Sequence, residues 1–270
     1  MEAVIKADWD YYRCYAQEEA GTFQGRTIRT FRDEVLPDMY MHNFTAVHNW
    51  DTAMTNSLWE QETALARQNG AEFYNLFSWS SDQERLPKLE DKAAERSRYV
   101  YMKGPAGDVT ERAPSSRRGK TVRAETQQHF DDYETFDVMV NGAAFGEDFC
   151  HRRSRYKSRI FAEGKGPALY LCYADERVVG SCEWFYHRDT ELVKIEDFTV
   201  DPAVRRMGYG TAMLSQMMAD AGRAGAREVY LITEADNIAA QRLYGRFGLE
   251  TMDIVHVSWF VKMKEELIHG

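Results

Sequence analysis

Residues 205–211 have the sequence Arg-Arg-Met-Gly-Tyr-Gly-Thr and join a strand pattern to a helix pattern through two closely spaced glycines. Before them, residues 192–200 alternate as a strand does, and Pro202 ends the pattern because it offers no N–H to a sheet ladder. After them, residues 211–222 place methionine, leucine and alanine at helical spacing, which predicts one apolar face. The glycines therefore lie at the N-terminus of a predicted helix.

A helix N-terminus of this kind is suited to an anion. Its first backbone N–H groups have no partner within the helix, and the macrodipole adds about half a positive charge there. Gly208 and Gly210 lack the Cβ atoms that would keep a diphosphate away, and Arg205 or Arg206 can add a charge-assisted contact. The alternative is an ordinary glycine-containing turn. The spacing matches neither a P-loop nor a dinucleotide-binding fingerprint, so nucleotide hydrolysis and hydride transfer lose support.

A second motif follows further along the chain. Residues 226–233 form another apolar strand pattern, and residues 237–250 form a helix pattern led by asparagine. Together the motifs resemble the signature of the GCN5-related N-acetyltransferase (GNAT) superfamily, which is a strand, an Arg/Gln-x-x-Gly-x-Gly/Ala turn, a helix, a further strand and an asparagine-led helix carrying a tyrosine. The resemblance covers residues 121–264. The matching residues are Arg205, Gly208, Gly210, Asn237, Ala240, Leu243, Tyr244, Gly248 and Leu249.

The resemblance implies a mixed α/β fold and a binding site for acetyl-CoA as co-substrate. In the family the glycine turn holds the pyrophosphate, and the preceding strand pairs through its backbone with the pantetheine arm, which the asparagine also reaches. The coenzyme-binding residues implied for this chain are Phe198, Thr199, Val200, Arg205, Arg206, Met207, Gly208, Tyr209, Gly210, Thr211, Asn237, Ala240 and Tyr244.

The implied reaction moves an acetyl group to a primary amine of a small molecule or peptide by direct attack in a ternary complex. A lysine-like amine has a pKa of about 10.4, so a base must take its proton at neutral pH. Glu196 is the candidate base, because it lies mid-strand on the face of Phe198, close to where the family places the thioester. Partial burial would raise its pKa to a useful value. A salt bridge to Lys194 or an exposed position is the alternative for Glu196.

Tyr244 is the candidate acid that protonates the leaving thiolate, by its position in the family motif. The alternative for Tyr244 is a residue of the core or rim of its helix. Backbone N–H groups near Val200 are expected to stabilise the oxyanion, because the family strand separates from its neighbour there. For the whole protein, the alternative is a non-catalytic acyl-CoA-binding regulatory or interaction module.

The chain is expected to have two parts. We predict a degenerate GNAT-like α/β module at residues 1–110, a linker rich in charge, glycine and proline at 111–120, and a catalytic GNAT domain at 121–270. The N-terminal module lacks the arginine–glycine turn, so it is expected to pack on the catalytic domain or border its acceptor pocket without binding acetyl-CoA. Its predicted strands are 27–32, 39–47, 72–79 and 99–103, and its predicted helices are 51–68 and 83–96.

Composition narrows the remaining classes of protein. A formal net charge of −9 argues against nucleic-acid binding. No apolar run approaches the ~18 residues that span a membrane, and the first residues lack a signal-peptide pattern, so we expect a cytoplasmic protein without membrane contact. The four cysteines have no Cys-x-x-Cys spacing and the histidines no His-x-x-x-His pairing, so no metal is expected. A homodimer is left open.

A cluster of basic side chains at residues 152–159 has several interpretations. The side chains share a predicted helix, where they could meet the 3′-phosphate of the coenzyme or an anionic acceptor, or form a solvated face. They are Arg152, Arg153, Arg155, Lys157 and Arg159. The aromatic residues 184–186 could line an acceptor cavity or pack in a core.

Overall fold

The computed structural model describes residues 2–81, 89–91, 94–107 and 119–263, and these form one mixed sheet flanked by helices. The strands are β1 (Gln17–Phe23), β2 (Arg26–Arg32), β3 (Phe44–His48), β4 (Phe73–Ser80), β5 (Glu95–Pro105), β6 (Lys120–Arg123), β7 (Ala168–Ala174), β8 (Arg177–His187), β9 (Leu192–Val200), β10 (Glu228–Glu234) and β11 (Glu250–Lys262). The α-helices are α1 (Glu2–Tyr12), α2 (Thr52–Gln68), α3 (Gln127–Phe145), α4 (Glu147–Glu163), α5 (Tyr209–Arg223) and α6 (Ile238–Gly245).

The sheet has eleven strands in the order β1-β2-β3-β4-β11-β5-β10-β9-β8-β7-β6. Strand β5, from the N-terminal part of the chain, lies between β10 and β11 and is antiparallel to both. Strand β11, near the C-terminus, in turn pairs with β4. The strands of the predicted N-terminal and C-terminal parts therefore interleave in one sheet. The division of the chain at residues 111–120 stays a proposal, and residues 108–118 lie outside the described ranges.

Two neighbouring strand pairs are parallel, and each has a helix in its crossover. These are β3-α2-β4 and β9-α5-β10. In the second unit, the apolar stripe predicted from the sequence is fully buried against the sheet. It consists of Met213, Leu214, Met217, Met218 and Ala221. This packing fixes the direction of α5 and so the position of the glycine turn at its N-terminus.

The two parallel strand pairs differ at the C-terminal end of their first strand. Pairing between β9 and β10 stops at Ile195 and Leu231, although β9 continues to Val200 alongside β8. The strands therefore separate, and the last residues of β9 have no partner in β10. A β-bulge interrupts the β8–β9 ladder at the same place, where Asp197 has a φ of 50°. In β3-α2-β4, by contrast, pairing runs to the last residue of β3, His48 opposite Trp79.

In the C-terminal half, β9, α5 and β10 lie where the sequence predicts a strand, a helix and a strand, and α6 follows Asn237 as predicted but ends at Gly245. The N-terminal half departs from the prediction. Helix α1 and strand β1 were not predicted, because α1 buries Asp8 on its inner face and β1 has mostly exposed residues. The strand predicted at 39–47 is shortened to β3, since the Asn43 side chain donates to the carbonyls of Leu36 and Met39 and stabilises a turn.

The helix predicted at 83–96 is also wrong in its described part. Residues 89–91 and 94 are not helical, and β5 begins at Glu95. The other residues of that prediction, 83–88 and 92–93, lie outside the described residues. Within the described part of the chain, we find no helix that is both long and apolar enough to span a membrane.

Candidate active site

The glycine turn presents free backbone donors at the start of α5. Gly208 is the N-cap residue, with a φ of 96°, and no side chain accepts from the first N–H groups of the helix. A Cβ at Gly208 would be strained at this φ. Arg206 also has a left-handed φ of 66°, and the Arg205 Nε donates to the carbonyl of Val200 at 3.2 Å. A helix N-terminus with free N–H groups and the positive end of the helix dipole is suited to binding a phosphate.

A cleft of about 1070 Å³ extends from this turn along the gap between β9 and β10. The structure brings every predicted site residue except Met207 to its walls. Met207 is 43% exposed and does not line the cleft. The sequence did not single out other lining residues, such as Met41 and Tyr99, which come from the N-terminal part of the chain.

Glu196 lies in β9 at the point where the strands separate. Burial, with the nearby Asp197, raises its pKa to about 7, against the opposing effect of Lys194. The Lys194 Nζ lies 2.9 Å from Oε2 of Glu196, so the salt bridge considered from the sequence is present. A carboxyl group with this pKa exchanges its proton near neutral pH, which is the property that a general base needs.

A buried network surrounds Lys194 and reaches back to α1. The Lys194 Nζ lies 2.7 Å from Oδ1 of Asp8, and both side chains are fully buried. The hydroxyls of Tyr230 and Tyr101 also donate to Asp8. Asp8 therefore balances the charge of the lysine that faces Glu196, and the first helix of the chain contributes to the electrostatics of the candidate base.

Tyr244 lies on α6, and its side chain is buried against the end of β9. Its ring meets Phe198 edge to face, with 6.1 Å between the centroids. Burial raises the pKa of the phenol above its usual value, so Tyr244 carries its proton at neutral pH. A protonated phenol in a cleft wall is able to donate to a leaving group.

The first turn of α6 is fixed by Asn237. Its Oδ1 accepts from the N–H of Ala240 at 3.1 Å, so the asparagine is the N-cap of this helix. The carboxamide NH₂ is the part of the side chain still available to a ligand. This capping bond orients α6, and with it Tyr244.

A second cavity, of about 360 Å³, adjoins the cleft and shares Met41, Asp197 and Thr199 with it. Helices α3 and α4 form one side, and the segment 38–41 forms another. The remaining lining residues are Asp38, Met39, Tyr40, Tyr133, Asp137, Asn141, Phe145, Phe149, Arg153 and Ser181. The sequence predicts that the N-terminal part packs on the catalytic domain or borders the acceptor pocket, but it does not single out segment 38–41, because the position of this segment depends on the interleaved sheet.

Four of the five basic side chains of α4 pair with carboxylates, among them Arg152, which pairs with Asp38 and Asp148. Arg153 pairs with Asp137 within the protein, and Arg155 pairs with Glu134. Lys157 is buried and donates to both Glu183 and Asp197. The aromatic residues 184–186 pack against the cores and do not line either cavity.

The parallel unit of the N-terminal part does not offer a comparable site. The carboxylate of Asp51 accepts from the N–H of Met54 at 2.9 Å, so the N-terminus of α2 is already capped by an anion. The strands β3 and β4 do not separate at that end. At β9 and α5, by contrast, the strands separate and no side chain caps the helix N-terminus.

The described residues contain no group of three or more histidine, cysteine, aspartate or glutamate side chains arranged to hold a metal ion. The four cysteines, which all lie in the described ranges, are free thiols.

Comparison with known proteins finds a family match for part of the chain. A model described as the acetyltransferase (GNAT) family matches residues 131–249. The uncharacterized N-acetyltransferase CgeE of Bacillus subtilis (strain 168) is 23% identical over 242 residues, which cover 88% of this chain and 90% of that protein. Among solved structures, the GCN5-related N-acetyltransferase from Kribbella flavida is 16% identical with a TM-score of 0.63, and the match covers 96% of this chain and 95% of that one.

A tandem GNAT protein from the clavulanic acid biosynthesis pathway is 12% identical with a TM-score of 0.56, covering 90% of this chain and 81% of that one. These likenesses confirm the predicted mixed α/β GNAT fold, and they extend over nearly the whole chain. Residues 131–249 therefore form a GNAT acetyltransferase domain, and the similarity to an N-acetyltransferase extends over most of the chain.

Proposed function

We propose that the protein transfers an acetyl group from acetyl-CoA to a primary amine by direct attack in a ternary complex. The observation that carries the proposal is the separation of β9 from β10 directly beside the uncapped N-terminus of α5. This arrangement supports a site in which an extended chain follows β9 and ends in a diphosphate at α5. The family to which residues 131–249 belong supports acetyl transfer as the reaction.

The residues present fit the coenzyme. The N–H groups after Gly208 would donate hydrogen bonds to the pyrophosphate oxygens, and Arg205 or Arg206 would add positive charge. The backbone of β9 beyond Ile195 has no partner in β10, so the N–H and C=O groups that do not pair with β8 are available to an amide-containing arm. Acetyl-CoA supplies the activated thioester, and these groups hold it against β9.

Two side chains would move the protons. Glu196 takes a proton from the amine, directly or through one water, as the new C–N bond forms. Backbone N–H groups near Val200 stabilise the negative charge on the carbonyl oxygen. Tyr244 donates its proton to the sulfur as the C–S bond breaks. The base and the acid lie on different elements, so each can be altered separately.

The test is release of free thiol from acetyl-CoA in the presence of a panel of amines, with coenzyme binding followed in parallel by calorimetry. Turnover with a saturable amine supports the proposal. Tight coenzyme binding with no turnover on any amine would instead support an acyl-CoA-binding regulatory module, and absence of coenzyme binding would contradict both functions.

A further inference from the structure

We infer that the cavity of about 360 Å³ beside the cleft holds the acceptor, and that its lining selects a small primary amine with one positive charge on an apolar body. This inference rests on the proposed function and names the substrate class of that site. The cavity is continuous with the coenzyme cleft, because Met41, Asp197 and Thr199 line both. A ligand in the cavity therefore reaches the place where the acetyl group would lie.

The charges of the lining favour a cation. Three carboxylates, those of Asp38, Asp137 and Asp197, line the cavity together with one guanidinium, that of Arg153, and Asp38 is paired with Arg152, which lies outside the lining. Arg153 is already engaged by Asp137, which also accepts from Ser154. A buried guanidinium held in this way is not available to an anionic acceptor.

Asp197 is the carboxylate best placed to bind an ammonium group. Its side chain is 52% exposed, against 36% for Asp38 and 4% for Asp137. Asp197 forms an ion pair with Lys157, which also pairs with Glu183. A carboxylate has about four acceptor positions, so a second ammonium can bind beside that of the lysine.

The location of Asp197 links binding to catalysis. It follows Glu196 directly, and its left-handed backbone conformation lies in the bulge of β9. Lys157 and Arg153 lower the pKa of Asp197, so it stays ionised where Glu196 exchanges a proton. An ammonium group bound at Asp197 is thus held one residue from the base that must deprotonate it.

The apolar side chains of the lining and the cavity volume determine which substrates fit. Met39 and Met41 lie on one side of the cavity, and Phe145 and Phe149 lie on the other. These side chains favour an alkyl or aryl group over a polyhydroxylated one. The cavity volume is near the lower end of the ~300–1000 Å³ typical of small-molecule sites, which disfavours an aminoglycoside or a long peptide.

The first experiment compares amines as acceptors in the thiol-release assay. We expect phenethylamine and hexylamine to have higher kcat/KM than spermidine, glutamate, kanamycin or a short peptide. Asp197→Asn should raise KM for phenethylamine by about 10- to 100-fold, because an ionic hydrogen bond is lost, and leave the Kd for acetyl-CoA unchanged. Asp148→Asn is the control, since this aspartate of α4 is 92% exposed and lies outside the lining.

Phe149→Ala provides an independent test should Asp197→Asn fail to fold. It should raise KM for phenethylamine without raising KM for methylamine, which is too short to contact the ring. Best activity on a peptide or kanamycin, or an Asp197→Asn enzyme with unchanged KM for amines, would overturn the inference while leaving acetyl transfer intact. Coenzyme binding with no turnover on any amine would overturn the proposed function and, with it, this inference.

Discussion

At the scale of single residues, the candidate base is defined by its surroundings rather than by its type. Glu196 and Asp197 are adjacent carboxylates of β9, yet the pKa of Glu196 is raised to about 7 by burial, whereas nearby cations lower the pKa of Asp197. In the proposed mechanism, this difference suits Glu196 to proton transfer and Asp197 to carrying a permanent charge.

Glu196→Gln tests the first of these roles. A protonated Glu196 cannot accept a proton, so kcat/KM of the unaltered protein should fall as the pH drops below about 7. The variant should lose roughly 100-fold or more in kcat/KM and the acidic limb of its pH profile. A variant with full activity would show that water or another group collects the proton. Coenzyme affinity, measured by calorimetry, is the control for intact folding.

Tyr244→Phe tests the acid. The ring should keep its edge contact with Phe198, so the Kd for acetyl-CoA should stay nearly the same. Loss of the hydroxyl removes the proton donor, and kcat should fall by about 100-fold. If kcat is unchanged and thermal stability alone shifts, Tyr244 is a packing residue of α6.

At the scale of elements, the two parallel units differ at their helix N-termini. Helix α5 begins at Gly208 with free donors, whereas α2 begins behind the carboxylate of Asp51. The sequence predicted this difference in part, because it has the arginine–glycine turn in the C-terminal half alone. It did not predict the closed end of the β3–β4 pair, which depends on register rather than on composition.

Gly208→Ala should weaken acetyl-CoA binding through the shape of this turn. The residue has a φ of 96°, so an added Cβ costs about 1–2 kcal/mol and places a methyl group among the anion-binding N–H groups. Gly225→Ala is a matched control beyond the other end of α5, with a φ of 87° and open surroundings. Both variants should lose similar thermal stability, and Gly208→Ala alone should raise the Kd in calorimetry. Equal Kd values would exclude the turn from the binding site.

Helix α1 acts on the site through Asp8. Asp8→Asn removes a negative charge that raises the pKa of Glu196 and leaves the charge of Lys194 less compensated. The pKa of Glu196 should then fall, so the acidic limb of the kcat/KM profile should move to lower pH. Breaking the buried pair should also cost about 3–5 kcal/mol of unfolding free energy.

Asp10→Asn is the matched control for that prediction. Asp10 lies on the same helix and pairs with His187 and Arg13, away from Glu196. This variant should lose stability without moving the pH profile. An unchanged profile in Asp8→Asn would mean that α1 contributes packing alone.

At the scale of the whole molecule, the sequence predicted the local units of the C-terminal half but not how the halves combine. Residues 205–211 and 237–250 predict their structure through short-range rules on glycine, capping and helical spacing. The insertion of β5 between β10 and β11 joins residues far apart along the chain, and no local pattern reports it. For the same reason the sequence missed Met41, Tyr99 and segment 38–41 as walls of the two cavities.

The interleaved sheet makes a prediction about the proposed catalytic domain at residues 121–270. Without β5, that fragment would expose the edges of both β10 and β11, and without α1 it would leave Lys194 without Asp8. Open strand edges and the loss of one partner of a buried lysine both favour aggregation or unfolding. We therefore expect the fragment expressed alone to be insoluble or to melt without a cooperative transition in calorimetry.

Co-expression supplies the control for the fragment experiment. Residues 1–110 produced as a separate chain contain both α1 and β5, so they should restore a soluble complex that binds acetyl-CoA. A fragment 121–270 that is soluble alone and binds the coenzyme with the affinity of the whole chain would show that the halves are independent folding units. In that case the burial of Lys194 against α1 would not be required for the site, and the pH shift expected for Asp8→Asn should also be absent.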